Sequence, residues 1–133
     1  MSDQHALATT TWTCDGLDDL AALRRAVYAS ALRTEVSAEA VDGFLVAVSE
    51  VATNALKHGT PPYCTVMWAA THSLACTVTD GGDGIHGEPT LRPLAADAIP
   101  DYGMGLWAVH QLCDRVSYHQ SEEGFTVRLQ VGG

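Results

Sequence analysis

Glu50, Asn54 and His58 fall at every fourth residue of the segment Glu50-Val51-Ala52-Thr53-Asn54-Ala55-Leu56-Lys57-His58-Gly59. On a helix this spacing drifts only about 80° over two turns, so a carboxylate, a carboxamide and an imidazole point to one side. Two further segments carry chemistry-bearing residues. Asp80-Gly81-Gly82-Asp83-Gly84 follows an apolar run and has the turn chemistry of a strand leading into a loop. Tyr102-Gly103-Met104-Gly105-Leu106 opens an apolar helical stretch with two glycines, so backbone N–H groups can approach an anion at a helix N-terminus. Each segment alone has an ordinary explanation: a solvated helix face, a turn, loop-to-helix packing. Together, in this order, they could hold magnesium, a base and phosphates, which is the inventory of a nucleotide site.

The elements that must position these residues can be read along the chain. Ala8–Cys14, with a run of threonines around Trp12, reads as a first strand. Asp18 or Asp19 can cap a helix running to about Leu32, with Leu20, Leu23, Ala26, Val27 and Ala31 as its apolar stripe. Ser37 is a second cap candidate for a long helix from Ala38 to Lys57, with Val41, Leu45, Val48, Ala52, Ala55 and Leu56 facing inward. Gly59 suits a left-handed C-terminal position, and Pro61-Pro62 prevents continuation. Tyr63–Ala70 and Leu74–Thr79 read as strands joined near Thr71-His72-Ser73. Gly81 to Asp101 holds four glycines and three prolines and reads as a binding loop or lid rather than core. A helix from about Gly105 to Arg115 and two strands, Val116–Gln120 and Phe125–Val131, complete the order β-α-α-β-β-lid-α-β-β. Consecutive strands exclude an alternating doubly wound sheet. The expected fold is α+β, a two-layer α/β sandwich with helices on one face of a mostly antiparallel mixed sheet.

Composition narrows the function classes. With 133 residues the chain is expected to form a single domain spanning 1–133, with residues 1–7 flexible and 81–101 as the lid. The formal charge of −9 argues against a nucleic-acid binder, which needs clustered Lys and Arg. It also requires a nucleotide's charge to be offset locally by a metal and helix N-termini, since Lys57, Arg92 and Arg115 are the only cations near the motifs in sequence. No apolar run approaches the roughly 20 residues of a membrane span, and no signal peptide is evident, so a cytoplasmic protein is expected. Cys14, Cys64, Cys76 and Cys113 are far apart and read as buried reduced thiols. Neither they nor His5, His72, His86, His110 and His119 have structural-metal spacing.

The three motifs resemble those of the GHKL ATPases, the histidine-kinase-like ATPase fold. Glu50, Asn54 and His58 match the N box, E-x-x-x-N-x-x-x-H; Asp80, Gly82 and Gly84 match the G1 box, D-x-G-x-G; Gly103 and Gly105 match the G2 box, G-x-G-L. The resemblance runs from about Ala8 to Val131 and is strongest to the small bacterial anti-sigma factors that double as serine/threonine protein kinases. It implies ATP lying between helices and sheet, with Mg²⁺. Glu50 would be the general base, Asn54 the Mg²⁺ ligand and His58 a supporting group around the phosphates. Asp80 would accept a hydrogen bond from the adenine amine, Gly82 and Gly84 would allow close backbone approach, and Gly103, Met104, Gly105 and Leu106 would seat phosphates. The ordinary alternatives remain beside these roles: a solvated carboxylate at Glu50, a satisfied surface amide at Asn54, a favourable charge at a helix C-terminus for His58, and a turn aspartate at Asp80.

Two positions depart from the family pattern. Family members place a Gly-Thr pair at the start of the last strand, where the Thr helps hold the G1 aspartate and a water on adenine. Here Phe125 follows Gly124, and Thr126 comes one place late. A one-residue slip reverses the side-chain face, so either the strand shifts or that contact is lost. Asp83 adds an acid to the G1 loop. The expected function is an ATP-binding anti-sigma factor that phosphorylates a STAS-domain antagonist in a partner switch, acting as a homodimer. The alternative is a non-catalytic ATP-binding module that sequesters a sigma factor or the antagonist.

Overall fold

The computed structural model describes residues 6–13, 17–81, 103–121 and 124–132. They form β1 (Ala6–Thr13), a 3-10 turn (Leu17–Asp19), α1 (Leu20–Ala31), α2 (Ala38–His58), β2 (Cys64–Ala70), β3 (Ser73–Asp80), α3 (Gly103–Leu112), β4 (Arg115–Ser121) and β5 (Gly124–Gly132). Strand β1 thus takes in Ala6 and Leu7, two residues earlier than the threonine run alone indicates.

Ser37 begins α2 as its chemistry demands. Its backbone is extended (φ −60°, ψ 151°) and its Oγ accepts the Ala40 N–H at 3.2 Å, satisfying one of the helix's orphan donors. Asp19 works differently. It stands at the start of α1 with backbone already helical (φ −80°, ψ −11°) and makes no side-chain cap hydrogen bond, because the preceding 3-10 turn feeds the chain straight into the helix.

The sheet has five strands in the order β1-β2-β3-β5-β4, and each pairing is antiparallel. Strand β5 folds back between β3 and β4, which makes β3 the central strand and β4 an edge. Met67, Cys76 and Leu129 lie in one row across β2, β3 and β5. They belong to the buried face, together with Leu74, Val78, Val127 and Val131. Strict alternation turns their neighbours to the other side. There the Arg128 guanidinium lies 5.1 Å from the Trp68 ring centroid and the Thr79 and Thr126 hydroxyls meet at 2.9 Å.

The helices close over the buried face. Leu23 and Val27 of α1, Phe44, Val48, Val51 and Ala52 of α2, and Val109 of α3 share one core with the sheet. Phe44 and Val51 extend the inward stripe beyond the positions expected for α2, while Leu45 and Leu56 are only partly buried at its margin. Helix α2 passes close to α3 at Gly43, where a Cβ would stand 3.3 Å from Leu112 Cδ2. The two-layer sandwich is therefore the fold, with α2 as its central helix.

Helix α3 differs from the expected Gly105–Arg115. It starts at Gly103 and ends at Leu112. The Cys113 N–H still reaches the Val109 carbonyl at 3.1 Å, but the Asp114 N–H donates to the Gln130 carbonyl at 2.9 Å, which draws the chain into the sheet. Arg115 consequently begins β4 and is exposed.

Candidate nucleotide site

The firmest part of the site is the junction between the end of α2 and the end of β3. Asp80 is the last residue of β3, and the parity of that strand turns it to the helix-covered face, 5% exposed. Its Oδ1 accepts the Thr60 N–H at 3.4 Å, and the Gly81 N–H donates to the Thr60 carbonyl at 2.6 Å. A turn after the helix and the exit of the strand thus clasp one another. Gly59 makes this approach possible. A Cβ there would lie 2.5 Å from Asp80 Cγ and 2.7 Å from Oδ2. Its backbone is extended (φ −90°, ψ −170°), not left-handed, so the sequence expectation is corrected. The glycine leaves room both for the carboxylate beside it and for the Ala55 carbonyl of the last helical turn, 2.6 Å from the same Cβ position.

Glu50 and Asn54 stand one turn apart on α2, both half-buried, while Lys57 and His58 in the last turn are exposed. The Asn54 Nδ2 is fully shielded and has no hydrogen-bond partner among the described residues. Folded proteins rarely leave such an atom unmatched, because the desolvation is uncompensated. An amide left with an open partner suits a polar ligand. Turned about its terminal bond, it offers the carbonyl oxygen instead of the NH₂.

Phe125 settles the one-residue slip. The register pairs Asp80 with Phe125 and Thr79 with Thr126. The strand does not shift: Phe125 shares the inner face with Asp80, and Thr126 spends its hydroxyl on Thr79 on the opposite face. Phe125 stacks on Tyr118 (centroids 6.1 Å apart, planes 20°), and the Tyr118 hydroxyl meets His110 Nε2 at 2.7 Å. Burial pushes the Tyr118 phenol up to about 12 and holds His110 below the usual imidazole range. The aromatic wall beside Asp80 was not foreseen as a unit; only the Phe125 position itself signalled it.

Gly103, Met104, Gly105 and Leu106 form the first turn of α3, so their backbone N–H groups belong to a helix N-terminus as the phosphate-seat reading requires. Gly82, Gly84, Asp83, Arg92 and nearly all of the 81–101 segment lie outside the described residues. Cys76 and Cys113 are buried free thiols, pushed up to about 12 chiefly by that burial. No group of three or more His, Cys, Asp or Glu among the described residues could hold a metal. A Mg²⁺ ion taken up with a nucleotide does not need one, since it binds through one or two protein oxygens plus phosphate and water. The Asn54 carboxamide, whose Nδ2 has no partner among the described residues, fits that requirement.

A helix-covered antiparallel sheet, with a polar stripe on its central helix and a buried acid at a strand end, is an α/β sandwich of the histidine-kinase-like type. The family model of the histidine kinase-like ATPase domain matches residues 15–131, and the chain belongs to that family. Membership implies binding of ATP. A search of curated proteins finds no match. Among the described residues, no helix is long and apolar enough to cross a membrane.

Proposed function

We propose that this chain is an ATP-binding anti-sigma regulatory factor with serine/threonine kinase activity. Its substrate would be a Ser or Thr hydroxyl of a STAS-domain antagonist. The observation that carries the reading is the half-buried Glu50–Asn54 pair on one face of α2, with the Asn54 Nδ2 lacking a partner. Membership of the ATPase family supports it. Asp80 accepts the exocyclic amine of adenine. Asn54 would offer its carboxamide oxygen to Mg²⁺, whose charge would offset that of the phosphates. His58 and the α3 N-terminus from Gly103 through Leu106, including Met104 and Gly105, support the phosphates; for Gly82 and Gly84 the G1-box resemblance is the basis of the nucleotide role.

The chemistry is a phosphoryl transfer. The acceptor hydroxyl oxygen bonds to the γ-phosphorus while the bond from that phosphorus to the β–γ bridging oxygen breaks. ADP leaves with that electron pair, and Glu50 takes the hydroxyl proton. A positioned base of this kind contributes about 10²–10⁴-fold. The protein works as one cytoplasmic domain, as a homodimer that exchanges between sigma factor and antagonist.

The second reading, a sequestering module without catalysis, is favoured by one observation. Thr126 is turned away from Asp80, so its hydroxyl cannot help hold that carboxylate on adenine. Labelled ATP and Mg²⁺ incubated with candidate antagonists separates the two. Transfer of label to a Ser or Thr supports the kinase; stable partner capture with no label transferred supports the module.

A further inference from the structure

We infer that Gly59 and Thr60 are positioning residues for base recognition, setting the Asp80 carboxylate from the far end of α2. The inference rests on the reading of Asp80 as acceptor of the adenine amine. Strand β3 fixes the face on which Asp80 lies, and the α2 turn bears on its side chain from two sides. Thr60 donates its N–H to Oδ1 at 3.4 Å. Gly59 presents bare backbone where a methyl would stand 2.5 Å from Cγ and 2.7 Å from Oδ2. The Gly81 N–H, held on the Thr60 carbonyl at 2.6 Å, fixes the strand's exit against the same turn. A Cβ on Gly81 would meet the Pro61 carbonyl oxygen at 2.6 Å, so the two chain segments interlock closely.

An added methyl at Gly59 must therefore move the carboxylate or the turn. A Cβ there would also stand 2.6 Å from the Ala55 carbonyl oxygen, so the last turn of α2 yields too. Stability loss alone does not identify a positioning role. Discrimination for the amine does. ATP and purine riboside triphosphate differ only by the 6-amino group, and their affinity ratio reads the Asp80 contact directly.

Calorimetry on the full chain with each nucleotide and Mg²⁺ provides the test. The unaltered protein should prefer ATP by about tenfold or more, the scale of a hydrogen bond to a charged acceptor. Gly59→Ala should bring the ratio close to one. Thr60→Pro, which deletes the N–H and follows a residue already extended, should lower it by about threefold. Ser37→Ala weakens the other end of α2 and should lower the thermal midpoint with the ratio intact. A Gly59→Ala protein that melts earlier yet keeps the full ratio overturns the inference. Should that variant not fold, an unchanged ratio in Thr60→Pro overturns it equally. Absence of a preference in the unaltered protein, or a full preference in Asp80→Ala, which has no acceptor, instead removes the Asp80 reading itself and this inference with it.

Discussion

The two halves of α2 do opposite work. In the first half Val41, Phe44, Ala47 and Val48 are buried, Phe44 completely, and Gly43 lets α3 approach. In the second half the buried positions narrow to Val51, Ala52 and Ala55, and the polar stripe of Glu50, Asn54 and His58 runs beside them. The buried residues of the first half all belong to the apolar core. The second leaves the Asn54 amide nitrogen unmatched and sets a glycine against a buried acid. One helix can do both because a stripe little more than 100° wide is enough to hold it to the core, leaving the rest of its surface available for a site.

Breaking the second half should cost function without fold. Glu50→Gln keeps size and polarity, so the unfolding midpoint and ATP affinity should barely move. Phosphotransfer should fall by about 10²–10⁴-fold, the worth of a general base. Single-turnover assays beside calorimetry check this, and unchanged transfer removes Glu50 from the base role. Breaking the first half should do the reverse. Phe44→Ala empties a site between helix and sheet and should destabilise the fold by about 3–5 kcal/mol. Denaturant unfolding measures it, and the nucleotide preference of the fraction that remains folded should be unaltered.

Much of this division was legible in the sequence, and its limits have physical causes. Ser37 announced the start of α2 because capping is a local event. Leu74–Thr79 is legible as a strand because a turn at Thr71-His72-Ser73 separates it from the strand before, again a local signal. Glu50, Asn54 and His58 share a face by spacing alone. Gly59 is legible as a helix end, but its extended backbone and its second close neighbour, a carboxylate twenty-one positions along the chain in another layer, are long-range facts that no local pattern carries. The placement of β5 between β3 and β4 is likewise a choice between long-range pairings. Phe125 was flagged by its departure from the family pattern, but only the register decides that Thr126 faces away.

Asn54 sharpens the contrast from the other side. If its unpartnered amide is kept for a ligand, it lowers the stability of the free protein. Asn54→Leu, similar in size and without the unmatched donor, should raise the stability of the unliganded chain by about 1–3 kcal/mol and abolish ATP binding. Thermal melts with and without Mg·ATP test both halves of that statement. A variant that is less stable than the parent would mean that the amide is satisfied in solution and belongs to the fold.

The smallest effect comes from a polar pair that is matched. The Tyr118 hydroxyl and His110 Nε2 lie 2.7 Å apart between β4 and α3, part-buried like Asn54 but each serving the other. Tyr118→Phe should therefore destabilise where Asn54→Leu stabilises, by about 0.5–1.5 kcal/mol near neutral pH. His110 adds a pH signature. Its burial holds its folded pKa below the ordinary value, so the unfolded chain takes up the proton first as pH falls. The stability it contributes is complete above about pH 6.5 and is lost as pH drops through the folded value. Melts from pH 8 to 5 should show that loss, and His110→Gln should flatten its share of the slope. A slope identical in the variant would place the acid sensitivity on the carboxylates, and leave the His110–Tyr118 pair as a hydrogen bond without a titration role.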